Sequence, residues 1–291
     1  TMFGDDELLT YLNDWNEEHR DKDNWLIEIN ISALADAFQV LFKEKIVQDS
    51  ERLSFWMSNR DRIERPIYAV AMLKAMLEFV KKNDFDKLEQ WIDFCAWVLS
   101  HKDLERIAGQ AEPRDESRDY PDWGTSRRAV VDLIEACVSG DSDAPITARS
   151  GLAALLKKAC LSSYWRLDHE TTTVFSRYDL ITEAINNTRS RALEALVYFG
   201  FWVRRHLQED TVQEVTEILD MRLAQDVELP LTRPEHALLG MHFGDLCTLN
   251  KNWAVAHQGI IFPRGNIAVW QDTFGSYIRF NHPMKNVFEI L

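Results

Sequence analysis

The sequence predicts an all-α, mainly helical fold of stacked hairpins in a repeat-like array, and three observations carry that prediction. Apolar residues return at helical spacing through most of the chain. Glycine and proline number only 11 and 8 in 291 residues, too few for a turn-dense sandwich or barrel. Only residues 258–269 have the makings of a minor strand pair. A composition of 46% apolar and 27% charged residues lies well away from disorder, and this length can bury a substantial core.

The first helix is expected over residues 5–20, where Asp5, Asp6 and Glu7 suit a helix N-terminus and Leu8, Leu9, Leu12 and Trp15 supply an apolar face. In residues 31–47, Leu34, Ala37, Phe38, Leu41 and Phe42 follow the i, i+3, i+4, i+7 rule. Ser50 is a candidate cap for a third helix bearing Leu53, Phe55 and Trp56. Pro66 marks a fresh start, since proline suits a first turn and breaks an interior; residues 67–82 follow, then 86–101 as an antiparallel partner. Charged, proline-bearing residues 109–122 form the expected boundary between an N-terminal subdomain, 1–108, and a C-terminal one, 123–291. Further helices are expected over 125–138, 147–161, 189–207 and 211–224. Beyond Pro230 the elements shorten, with breaks at Pro234, Asn250, Pro263 and Gly265. A last run, 284–291, ends on Phe288, Ile290 and Leu291 without a cap, which leads us to expect truncation from a longer protein.

A net charge of −14 works against phosphate backbones, so no nucleic-acid partner is expected. Cys95, Cys137, Cys160 and Cys247 form no CxxC pair and sit in apolar runs, which fits a reducing cytoplasm. The acidic opening has neither a basic n-region nor an apolar h-region, and no stretch approaches the length of a membrane span; no membrane partner is expected.

Phosphate-loop, dinucleotide, nucleophile-elbow and HExxH signatures are absent from the sequence, so neither a catalytic residue nor a cofactor is assigned. His242, Asp245 and Cys247 have metal-like proximity, but one short helix would need a further ligand from elsewhere, and no metal site is assigned. His169 and Glu170 read as a solvated loop, and acidic pairs such as Asp5/Asp6 and Glu209/Asp210 as helix-end charges.

The cluster Asn186, Asn187, Arg189 and Arg191 opens an apolar helix. Guanidinium forks there suit a carboxylate or a peptide backbone. Its structural alternative is an asparagine cap with arginines paired to Glu183 and Glu194. Arg127-Arg128 and Arg204-Arg205 read as solvated or salt-bridged pairs. Tyr164, Trp165, Trp202, Trp253, Trp270, Phe274 and Tyr277 concentrate aromatic residues in the second half, as core or as an interface. Asn186 followed by Glu194 and Leu196 is echoed by Asn281 followed by Glu289 and Leu291, as though asparagine capped successive units of a stack.

The blocks PDWGTSRRAVVDLIE from Pro121, AINNTRSRALEALV from Ala184, Trp253 with IFP from Ile261, and WQDTFGSY from Trp270 occur in that order. In this they resemble the carboxy-terminal helical region of very large bacterial STAND-type ATPases, including antiphage defence proteins of the Avs type. The resemblance covers residues 120–291. It implies a sensor or scaffold segment without chemistry of its own, with Asn186, Arg189, Arg191, Trp253, Trp270 and Tyr277 at matching positions. The expectation is therefore a non-catalytic protein-recognition module with a protein partner and room for self-association. A structural self-assembly module, or a hydrolase with dispersed carboxylates, is the alternative.

Overall fold

The computed structural model describes residues 4–15, 30–101, 121–140, 143–162, 180–224, 230–281 and Val287. Helices account for nearly all the regular structure, and no strand occurs among the described residues. The chain divides into two compact units, Thr1–Leu133 and Ile134–Leu291, and the division falls inside one helix, α6 (Trp123–Val138). Most of the expected boundary segment 109–122 lies outside the described residues, as do Tyr164, Trp165, His169, Glu170 and nearly all of the run 284–291.

The first unit holds α1 (Asp5–Asp14), α2 (Ile31–Leu41), a π turn over Phe42–Ile46, α3 (Ser50–Ser58), α4 (Pro66–Val80), α5 (Leu88–Ser100) and the start of α6. Pro66 opens α4 at its first position, as its fixed φ and missing N–H allow. Burial of Ile67 through Leu73, then Ala75, Met76 and Val80, makes α4 the centre of the unit, with α2 packed along it. Phe38 of α2 meets Trp56 at 4.9 Å and the edge of Tyr68 at 5.9 Å between ring centroids. The cap of α3 is Asp49, whose carboxylate accepts the N–H groups of Glu51 and Arg52; Ser50, the expected cap, is the first helical residue. Asp5 ties α1 to α3 by accepting from Arg52 Nη2 at 2.7 Å and Trp56 Nε1 at 3.0 Å.

The second unit takes the end of α6, then α7 (Arg149–Leu161), α8 (Leu180–Asn186), α9 (Thr188–Leu207), α10 (Gln213–Leu223), α11 (Arg233–Met241), α12 (Phe243–Leu249), α13 (Lys251–Ile261) and α14 (Ile267–Phe280). Helix α9 is its axis, in contact with α7, α8, α10, α11 and α12. Its C-terminus closes on Gln208 in a left-handed conformation, φ 54°. Arg149 of α7 braces the turn beyond, forking to Glu209 at 2.6 Å and Glu214 at 2.7 Å.

Where a strand pair was expected, residues 258–269, the chain is helical on both sides of a turn. Asn250 accepts from the N–H of Trp253 and Asn266 from that of Val269, so each apolar run enters a helix with a first-turn donor satisfied. Cys95, Cys137 and Cys160 are buried and Cys247 half-buried, all as free thiols. Burial pushes the thiols of Cys137 and Cys160 up to about 12.

Candidate functional site

The charged side chains of the second unit gather about the N-terminal half of α9. Asn187, the residue before α9, accepts from the backbone N–H of Arg189 at 3.0 Å and of Ser190 at 3.1 Å. Asn186 instead ends α8, its amide donating to the carbonyl of Thr182, four residues back. Asn281 closes α14 the same way on Tyr277, and also donates to the Met241 carbonyl at 2.7 Å. The two asparagines of the sequence echo thus share a role, but it is to finish the preceding helix, since carbonyls rather than N–H groups face them.

Arg189 points into the unit and is 6% exposed. There it lies 3.3 Å from Glu235, a fully buried carboxylate of α11. Glu235 also receives the guanidinium of Arg222 from α10, through Nη2 at 2.7 and 2.9 Å and Nε at 3.2 Å. The N–H and hydroxyl of Thr232 complete its shell at 2.8 and 2.9 Å. Both arginines further donate to the carbonyl of Pro230. One carboxylate therefore joins α9, α10 and α11, and multiple charge-assisted bonds offset the cost of removing it from water.

Two residues further along α9, Arg191 reaches Glu135 of α6 and, at 2.6 Å, Glu194. Glu194 accepts from the Tyr198 hydroxyl at 3.1 Å and lies 3.6 Å from His242 Nε2. His242 Nδ1 meets Asp245 at 2.8 Å. Burial alone would discharge this imidazole, but Asp245 and Glu194 outweigh it and push its pKa up to about 9. Burial likewise raises Glu194, yet His242 and Arg191 reverse it and hold the carboxylate below its ordinary range. The result is a chain of side chains of alternating sign, Glu135, Arg191, Glu194, His242 and Asp245, in which His242 and Arg191 favour the ionised form of Glu194, and Asp245 and Glu194 favour the protonated form of His242. Among the described residues no cluster of His, Cys, Asp and Glu is suited to hold a metal.

The other sequence candidates divide between core and surface. Trp253 is 8% exposed, stacks on His257 at 4.4 Å and donates to Asp220 at 2.5 Å. Tyr277 is 2% exposed, its ring set against Phe243 and Phe262. Trp270 is half-buried and stacks on Phe274 at 4.7 Å, on the outer side of α14. Ile267 and Ile278 extend that side at 70% and 57% exposure. Of the paired arginines, Arg128 meets Asp132, Arg205 meets Asp143, Arg204 donates to the Thr248 carbonyl, and Arg127 is fully buried.

Sequence reasoning missed Arg222 and Glu235, although a signal was present. In α10 the buried positions are Val215, Ile218, Leu219, Arg222 and Leu223, so arginine fills the i+7 slot of the apolar stripe that starts at Val215. In α11, Glu235 and His242 bracket Leu238 and Leu239 in the same pattern. A charge in an apolar slot at helical spacing marks a buried ionic partner. Glu135 and Tyr198, also missed, sit on half-buried flanks with no such signature.

No protein-family model, curated protein or solved structure matches the chain. No helix among the described residues is long and apolar enough to cross a membrane.

Proposed function

We propose that this chain is a non-catalytic protein-recognition or scaffold module, with buried charge networks holding a firm helical frame and the outer side of α14 meeting a partner. The observation that carries the reading is the row Ile267, Trp270, Phe274 and Ile278, apolar and at least partly exposed on one side of a well-packed helix. Aromatic residues half-seated in such a row are the type that dominates interface energetics. The resemblance to STAND-type ATPases gives the proposal its specific form, a sensor segment of a bacterial cytoplasmic defence ATPase. Glu194, Glu214 and Asp5 lie below their ordinary range, through His242 and Arg191, Arg149, and Arg52 respectively, as suits carboxylates that hold a frame.

Capture from phage-infected and uninfected bacterial lysates, with wild type beside an Ile267→Asp/Ile278→Asp variant, tests the reading. A protein held by wild type and released by the variant, with unchanged thermal unfolding, is the expected result. Equal capture by both would remove α14 from recognition.

A further inference from the structure

We propose that His242 is a proton-held pin in the second unit. With both ring nitrogens protonated it fastens the corner between α11 and α12 to α9. With one proton lost it frees that corner, and α14 with it, to swing about the far end of α11. Such a movement goes beyond recognition and does not depend on it. Three consecutive residues make the corner. Gly240 packs against the backbone of Thr273, the Met241 carbonyl accepts from Asn281 Nδ2 at 2.7 Å, and His242 faces Glu194 of α9. The first two carry the middle and the end of α14, and the third ties the same stretch to α9. His242 is also the whole joint, since it ends α11 and directly precedes α12, at φ −92° and ψ 10°.

The two ends of α11 are fastened by different chemistry. At Glu235 the cations are Arg189 of α9 and Arg222 of α10, whose charge no ordinary pH removes. At His242 the cation is an imidazole, which titrates. Two carboxylates face it, Asp245 of α12 at 2.8 Å from Nδ1 and Glu194 of α9 at 3.6 Å from Nε2, with the Tyr198 ring edge-on at 6.0 Å. Arg191 of α9 is paired with Glu194 and with Glu135 of α6. A neutral imidazole keeps a single N–H. Given to Asp245, it leaves the Nε2 lone pair facing the Glu194 carboxylate, and Nε2 is shut off from water with no hydrogen-bond partner of its own. Attraction at this contact then becomes repulsion. Burial opposes the charge on His242, but Asp245 and Glu194 outweigh it, so the proton leaves only as pH climbs through about 9. Nearby groups titrate higher: burial pushes the Cys247 thiol of α12 up to about 11 and lifts the Tyr198 phenol above its ordinary value.

Amide hydrogen exchange of the full chain, read by mass spectrometry at about pH 7 and about pH 10 with labelling times matched to the faster chemistry at alkaline pH, tests the pin. Amides of Leu238–His242, of α12 and of Tyr277–Asn281 should lose about tenfold in protection at the higher pH, the scale of one lost charge-assisted contact. Those of α7 and α10, on the arginine side, should keep theirs. His242→Gln should leave the corner weakly protected at both pH values, and Asp245→Asn should bring the loss to lower pH. Unchanged protection of the corner in wild type, an equal loss in α7 and α10, or the same pH response in His242→Gln overturns the pin. Where His242→Gln does not fold, Asp245→Asn decides: no shift of the loss, or a shift to higher pH, overturns it.

Discussion

Gly240 of α11 faces Thr273 of α14 so closely that a Cβ on it would lie 2.1 Å from the Thr273 carbonyl oxygen. The obstacle is backbone and cannot rotate aside. Gly240→Ala should therefore cost at least the roughly 1–3 kcal/mol typical of overpacking, read as a lower urea midpoint. A midpoint equal to wild type would mean that α11 and α14 do not cross at this distance.

The Arg222–Glu235 pair predicts an asymmetry between single and double replacement. Arg222→Met leaves Glu235 with Arg189 as its remaining cation among the described residues and should cost roughly 3–5 kcal/mol. Arg222→Met/Glu235→Leu should recover part of that loss, and the coupling should appear in a double-mutant cycle of urea melts. Additive losses would show that the two side chains do not share a site.

His242 predicts a pH limb. Its pKa rises from 6.5 to about 9 on folding, so its contribution is fully present below pH 6.5 and is lost as pH climbs through about 9. Glu194 is lowered, so its contribution is present above its ordinary pKa of 4.5 and is lost as pH falls below that value. Urea midpoints of the second unit should decline between about pH 6.5 and 9, and His242→Gln should flatten that decline. An unchanged slope in the variant would exclude His242 as its source.

Tyr277 separates a core role from a contact role. Its hydroxyl is buried and has no hydrogen-bond partner among the described residues. Tyr277→Phe removes only that oxygen and should leave stability unchanged or raise it by up to about 1 kcal/mol. A clear loss of stability would point to a partner for the hydroxyl.

Helix positions were legible because their causes are local. Pro66, the glycine and acid stretch after Val138, and the asparagines before α9, α13 and α14 act on the backbone within one turn. Asp49 was overlooked for Ser50 because both are good caps one residue apart, and φ and ψ, rather than residue type, decide between them. The ionic partners were harder to read. Arg189 meets Glu235 rather than Glu183, and Arg191 meets Glu135, across separations in sequence that only the packing of α6, α9 and α11 closes. Arg191 with Glu194, three residues apart on one helix, was within reach of sequence reasoning and was found. The apolar strip of α14 could be counted in the sequence, but which side of the helix faces outward depended on Gly240 admitting the other side.

The buried cysteines bear on how the protein can be observed in motion. Cys95 lies in the first compact unit, and Cys137 and Cys160 lie in the second. Thiols shut away from water, two of them with ionisation pushed up to about 12, do not react with alkylating reagents until the structure around them opens. The native sequence thus carries one clock in one unit and two in the other. Alkylation rates at these positions, compared over a denaturant series, report whether the two units open in concert or in turn.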